Sequence, residues 1–383
     1  MKIGILYPRS TAHPGMMMDF MDGIKTLLKK QQLTDHIQLL TESIGFGGNE
    51  KEVYEKTEKL LVLDDAAILV AYIDLRALEI IKPLVYATGK LVLVVNPGAN
   101  YPTNWVPQAN MLYLTLQHGF LCWLTGRLAS RASNDRALLA TSFYDCGYLH
   151  SAAIVKSFVK SGGKITFNYV NNQRYDDGFE IKQLTDYLSS DKDTTTLLCV
   201  LDSLPASLFY SRLNSYADGA DLHLFVSPMM LEQQAIEKVT ADSKFTVEGY
   251  TSWLPSLENN ANKEFMDQYF QQSKRTPTAF SLLGWETGLV LQQVLLLGIS
   301  NYTDGGEIAG RLANIKINSP RGEMKTDPET NQFIAPAYQC TVQPGTGISV
   351  THCIENPNKE WADFIATPSE NVSSGWTNTY LCY

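Results

Sequence analysis

Six histidines and six cysteines give this 383-residue chain its widest chemical repertoire, and their spacing argues against most of it. The histidines His13, His36, His118, His150, His223 and His352 are scattered, with no i, i+4 pair of the kind that holds a metal. Cys122, Cys146, Cys199, Cys340, Cys353 and Cys382 form no C-x-x-C pair, so neither a zinc site nor a thioredoxin-like redox motif is expected. Cys122 and Cys199 sit in apolar runs and read as packing residues. Cys340 and Cys353 flank Pro344-Gly345-Thr346-Gly347. With a four-residue loop at 345–348 they would face each other across a hairpin, where a disulfide needs a Cα separation under about 7 Å. No G-x-S-x-G, H-E-x-x-H or Walker loop occurs. The cluster Gly45-Phe46-Gly47-Gly48-Asn49 lacks the Lys-Ser/Thr ending of a phosphate loop and reads as a connection between strand and helix. Asp74, Asp145 and Asp202 each follow an apolar run, and carboxylates that meet across a cleft can act as acid and base. With no nucleophile, metal or cofactor signature beside them, the residues point to ligand binding rather than catalysis, with no cofactor and no metal.

The bulk properties narrow the partners. The formal charge is −9, and no Lys/Arg run is denser than Lys29-Lys30 or Lys274-Arg275. Binding to nucleic acid through phosphate neutralisation is therefore excluded as an expectation. The longest apolar candidate, around Gly288–Ile299, is interrupted by Gln292-Gln293, so no membrane-spanning segment is expected. Met1 leads straight into the apolar run Ile3–Leu6, which reads as a first strand. The expectation is either a cytoplasmic protein or one whose export signal has been removed.

The elements that must position any site follow from periodicity. Apolar runs at Ile3–Tyr7, Ile37–Thr41, Ala67–Ala71 and Leu91–Val95 alternate with helical patterns over Gly15–Gln31, Lys51–Leu63 and Leu75–Thr88. Strands with no polar alternation imply a parallel sheet covered on both faces, and repeated βα units imply a doubly wound architecture. The pattern restarts with a helix over Leu116–Ser130, a strand over Ala137–Thr141 and a helix over Leu149–Ser161. Strands over Lys164–Tyr169, Thr196–Leu201 and His223–Val226 follow, with helices over Gly178–Leu188, Leu204–Ala217 and Leu231–Val239. The later helices, Asn262–Ser273 and Pro277–Ile299, and the strands Gly322–Asp327, Ala337–Val342 and Ser349–Cys353 are too few for a third sheet. They are expected to return and cover the first two. A length of 383 residues exceeds what one core usually holds, so the fold class is α/β with two doubly wound parallel-sheet lobes.

Five stretches occur in a telling order: "KIGILYP", "EKTEKLLVLDDAAILVAYIDLRALEIIKPLVYATGKLVLVVNPGAN", "LLATSFYDCGYLHSAAIVKSFVKSGGKI", "PTAFSLLGWETGLVLQQVLL" and "SPRGEMKTDPETNQFIAPAYQCTV". In that order they resemble the type I periplasmic solute-binding proteins, especially the branched-chain amino-acid-binding group, over nearly the whole chain. The resemblance implies a three-segment hinge near Tyr113–His118, Gly249–Trp253 and Gln332–Pro336. It implies one lobe of residues 1–115 plus 250–331 and another of 116–249 plus 332–383. It also implies capture of a small polar solute, an amino acid or related amide or carboxylate, by hinge closure and delivery to the membrane permease of an ABC transporter in the periplasm. The alternative is a cytoplasmic ligand sensor of the amide-sensing regulator type. The stretch Glu355–Tyr383, with Trp361, Trp376 and Tyr380 as anchors, has no place by pattern.

Open parallel α/β sheets bind ligands beyond the carboxyl ends of their strands. On the first lobe that rule selects Tyr7-Pro8-Arg9-Ser10, Tyr72-Ile73-Asp74 and Asn96-Pro97-Gly98-Ala99-Asn100. On the second it selects Phe143-Tyr144-Asp145 with Tyr148, then Asp202-Ser203, then Ser227-Pro228-Met229. The expected ligand contacts are Arg9, Tyr72, Asp74, Ala99, Asn100, Tyr148, Asp202, Ser203, Met229 and Trp253. Arg9 would either clamp a carboxylate or stand as a surface charge, and Trp253 would either cover the ligand or fill a crossing segment. Asp74 falls where the family carries a small hydroxyl residue, and it is also a natural helix cap. Met229 falls where the family carries an acid for an ammonium group, so that acid is missing. His118 could pair with a ligand or satisfy a hinge carbonyl, the hinge being the expectation, and Trp285 is expected to pack in the first core.

Overall fold

The computed structural model describes residues 1–98, 107–132, 135–142, 149–173, 176, 178–216, 222–299, 302, 304–367 and 380. The chain opens with β1 (Lys2–Tyr7), α1 (Met16–Lys30), β2 (Gln38–Ser43), α2 (Glu50–Glu58), β3 (Ile68–Tyr72), α3 (Leu75–Thr88), β4 (Leu91–Asn96) and β5 (Met111–Thr115). These five strands make one sheet in the order β2-β1-β3-β4-β5, all parallel. Every residue of β3 and β4 is buried, as expected of strands covered on both faces. α2 runs on into a π turn over Lys59–Leu63, which completes the helix expected over Lys51–Leu63.

A second series follows: α4 (His118–Ala132), β6 (Arg136–Ser142), α5 (Leu149–Lys160), β7 (Lys164–Asn171), α6 (Lys182–Ser190), β8 (Thr196–Val200), α7 (Ser203–Asn214), β9 (Leu222–Val226), α8 (Gln233–Ile236) and β10 (Phe245–Thr251). The helix expected over Leu231–Val239 is instead a 3-10 turn, Pro228–Leu231, and the short α8. Pro228 at the start and polar Glu232 in the middle divide the run. After α9 (Asn260–Ser273), α10 (Ala279–Leu296) and α11 (Gly305–Leu312) come three short strands, β11 (Ile317–Ser319), β12 (Gly322–Thr326) and β13 (Phe333–Ile334). They pair antiparallel as a small third sheet, which corrects the expectation that too few strands remain for one: pieces of two to five residues suffice when tight turns fold them back on each other. The chain then adds β14 (Ala337–Gln343), β15 (Gly347–Ile354) and α12 (Asn358–Ile365). The second sheet runs β15-β14-β10-β9-β8-β6-β7, with β14 and β15 antiparallel at one edge.

The late helices do return to the first sheet. Gly23 of α1 and Gly284 of α10 allow a close crossing: a Cβ on Gly284 would lie 2.0 Å from the Phe20 carbonyl oxygen, and one on Gly23 2.2 Å from that of Ser281. α10 is long and apolar enough to cross a membrane by length and composition, and 67% of it is buried inside the protein. This corrects the expectation that no apolar stretch is long enough: the helix begins at Ala279, and Gln292 and Gln293 do not interrupt it. The chain thus leaves the first sheet after Thr115, leaves the second after Thr251, and returns to the second from the small third sheet between Ile334 and Ala337.

A buried ion pair ties the first and last of these passages together. Glu286 and Arg321 are both fully buried, and Arg321 donates from Nε (2.8 Å) and Nη2 (2.7 Å) to the two carboxylate oxygens. Its Nη1 donates to the Thr115 carbonyl (3.0 Å), while Tyr338 donates to the Arg321 carbonyl (2.7 Å). Nearby, Gln117 accepts from the Ala335 amide at 3.1 Å.

The cysteine pairing that a four-residue loop would have allowed does not form. In the β14–β15 hairpin Gln343 faces Gly347, so the loop is one residue shorter than 345–348 would make it, and a bulge interrupts the register at Gln339/Cys340. Cys340 consequently faces Val350, Cys353 faces Tyr338, and no disulfide joins them.

Candidate ligand-binding cleft

The carboxyl ends of both sets of parallel strands approach each other. On the first rim, the turn after β1 is held by the Ser10 hydroxyl, which accepts from the His13 amide at 2.9 Å. The His13 carbonyl in turn accepts from Met16 as α1 begins. Tyr72 ends β3 with its ring edge-on to Phe20 at 5.3 Å. On the second rim Asp202 follows β8, and Ser227 leads from β9 into the 3-10 turn. The Tyr210 hydroxyl pins that turn through the Met230 carbonyl (3.1 Å), which delivers Glu232 to the rim. The rims meet where His13 Nε2 lies 3.9 Å from Asp202 Oδ1.

Between them lies Tyr380, only 1% exposed. Its hydroxyl donates to Glu232, and its carbonyl accepts from Ser10 at 2.5 Å. Its ring stands edge-on to Phe280 (4.8 Å), His13 (4.9 Å) and His118 (5.8 Å).

Burial dominates the electrostatics. It raises the Glu232 carboxyl to about 7, with the Tyr380 hydrogen bond and His13 opposing and Asp202 reinforcing the rise. It holds His150 down to about 3, and His118 well below the usual imidazole range, with His150 and Arg321 adding to the latter. Both imidazoles are therefore neutral near pH 7. Several buried polar atoms of the two rims lack a hydrogen-bond partner among the described residues: the Tyr72 hydroxyl, His118 Nδ1 and the Ser227 hydroxyl. Such atoms are uncommon in folded proteins and mark places where a ligand or water completes the bonding. No group of three or more His, Cys, Asp or Glu that could hold a metal ion occurs among the described residues.

A family model described as periplasmic binding protein matches residues 1–347. The chain belongs to the periplasmic binding protein family. No curated protein matches it in sequence. Among solved structures, the chain is similar to an ABC transporter substrate-binding protein from Sphaerobacter thermophilus, at 15% identity and TM-score 0.77, covering 93% of this chain and 98% of that one. A solute-binding protein from R. palustris in complex with benzoate matches at 17% identity and TM-score 0.73, covering 92% and 96%. A branched-chain amino acid transporter substrate-binding protein from Streptococcus pneumoniae, in complex with isoleucine, matches at 14% identity and TM-score 0.69, covering 93% and 99%. These likenesses establish the periplasmic-binding-protein fold, two α/β lobes with parallel-dominated sheets.

Within that fold the ten expected contacts fall in different places. Tyr72 and Asp202 are buried at the facing rims. Asp74 caps α3, accepting from the Ala77 amide at 2.9 Å, and Ser203 opens α7. Arg9 is exposed, its amide bonded to the Gly45 carbonyl. Met229 is fully buried inside the 3-10 turn. Trp253 packs against Phe265 and donates its indole N–H to Asn262 at 2.8 Å. Ala99, Asn100 and Tyr148, like Asp145, lie outside the described residues. His118 turns its ring to Tyr380 while its amide donates to the Pro97 carbonyl. Trp285 packs against Phe265 in the first core. Four cleft residues escaped sequence reasoning as contacts: His13, Glu232, Phe280 and Tyr380. Glu232 lies three residues past Met229, near which the resemblance implies an acid.

Proposed function

We propose that this periplasmic binding protein captures a small organic solute between its two lobes and, by closing on it, presents it to the membrane permease of an ABC transporter. The observation that carries the reading is the set of buried polar atoms without partners among the described residues, Tyr72 Oη on one rim and Ser227 Oγ and His118 Nδ1 on the other. A solute that bridges the rims bonds to both and binds the closed arrangement better than an open one, and only such a difference shifts the population. The solved relatives named above carry benzoate and isoleucine, so an aromatic acid and an amino acid are the first candidates, and transport outside the cytoplasmic membrane is the matching location. Lobes of 1–115 plus 250–331 and 116–249 plus 332–383, and contacts from Asp74, Ala99, Asn100 and Tyr148, belong to the same proposal. No catalytic step is part of it.

A thermal-shift screen against amino acids, amides, aromatic acids and phenols tests the reading. A true solute at about 100 times its dissociation constant stabilises the fold by about 2.7 kcal/mol. A panel in which no compound shifts the melting transition would remove the support for solute capture. Asp74→Ser keeps the helix cap and so isolates the ligand's contact with that carboxylate.

A further inference from the structure

Tyr380 is buried in surroundings that a purely structural anchor does not require. Its ring is enclosed edge-on by His13, Phe280 and His118, a geometry that aromatic rings favour. Phe280 and His13 also contact each other at 5.4 Å, so the two walls of the first rim form one aromatic surface. The hydroxyl reaches Glu232 on the second rim, and the main-chain carbonyl takes the Ser10 hydroxyl on the first. One residue thereby satisfies both rims at the strand ends, the place where open α/β sheets hold their ligands. Tyr72, whose buried hydroxyl has no partner among the described residues, lies close enough to act electrostatically on the Tyr380 phenol.

We infer that Tyr380 is an intramolecular occupant of the interlobe site, and that the soluble ligand which displaces it carries a phenol whose hydroxyl takes over the hydrogen bond to Glu232. The inference rests on the solute-binding reading above and gives that solute a chemical class. The chemistry of the walls selects it. Three aromatic edges define a flat slot, and the carboxyl group at its far end accepts from a hydroxyl donor. A ligand carboxylate pointed at that end would meet Asp202 and, once ionised, Glu232, and be repelled. An occupant tethered to the same chain competes at a local concentration near the millimolar range and lowers the apparent affinity for any free ligand by the fraction of empty sites.

The test is calorimetric titration of p-cresol and toluene into the parent chain, Tyr380→Ala and Tyr380→Phe, with small-angle scattering of each protein alone. Tyr380→Ala should bind p-cresol about tenfold more tightly than the parent or better, and should prefer p-cresol to toluene. Tyr380→Phe, which keeps the ring in the slot, should stay close to the parent. Without ligand, Tyr380→Ala should show a larger radius of gyration than the parent, and p-cresol should reduce it. Equal p-cresol affinity for parent and Tyr380→Ala, together with identical scattering, would overturn the inference. If Tyr380→Ala expands and binds an amino acid or a carboxylate but not p-cresol, the phenol assignment falls while solute capture stands. If neither protein binds any compound of the wider screen, solute capture falls with it.

Discussion

Glu232 shows how much chemistry a single residue can carry without a motif. Its carboxyl is raised to about 7 by burial, so the folded state holds a proton there that the unfolded chain releases near 4.5. A raised acid contributes stability that is complete below the unfolded value and lost as pH climbs through the folded one. The loss between pH 4.5 and 7 is on the order of 3 kcal/mol. His118 and His150 act in the opposite sense, since their lowered values cost stability as pH falls below 6.5. The difference between parent and Glu232→Gln isolates the carboxyl. Urea unfolding at pH 5 and pH 8 should show the variant gaining on the parent at pH 8 and not at pH 5; a parallel pair of curves would contradict the assignment. Sequence reasoning reached the rim here but stopped short. The strand-end rule selects the first residues after a strand, and the buried 3-10 turn of Pro228–Leu231 carries the acid past them. Asp74, by contrast, was legible in one of its roles, because an acid before an amphipathic run is a cap on local grounds alone.

At the scale of elements, the alternation of apolar runs and helical patterns was enough to find most strands of both sheets. β5 and β10 were missed as strands. Met111–Thr115 overlaps the crossing segment expected at Tyr113–His118, and Phe245–Thr251 carries polar Thr246 and Glu248 between its buried residues, unlike a fully buried strand. Their pairing partners, β4 on one side and β9 and β14 on the other, are distant in sequence and supply what the local pattern lacks. The helix bearing the Trp285-Glu286-Thr287 pattern and the loop bearing Pro320-Arg321-Gly322 were both legible as family-like stretches, yet nothing in either announced that Glu286 and Arg321 meet in a buried pair. Removing one partner of such a pair leaves a buried charge uncompensated, at a cost of about 3–5 kcal/mol. Arg321→Ala should therefore lose that much in chemical denaturation, and a loss under about 0.5 kcal/mol, typical of surface positions, would contradict the role. Gly284→Ala should cost about 1–3 kcal/mol through forced separation of α1 and α10.

For the whole molecule, the two-lobed architecture was readable because covered parallel sheets impose continuous apolar strands, and two such series occur in one chain. What lies between the lobes was less so, since a cleft is assembled from residues as far apart as Ser10, His118, Glu232, Phe280 and Tyr380. The tail residue in particular carries no periodicity that would place it. The central claim is that a solute engages both rims at once. Hydrogen-exchange mass spectrometry, with and without a compound that raises the melting temperature, tests it most directly. The account predicts simultaneous protection of the strand-end segments 7–16 and 71–75 on one lobe and 199–203 and 226–233 on the other. Protection confined to one lobe, or none at the strand ends despite saturating ligand, would contradict it.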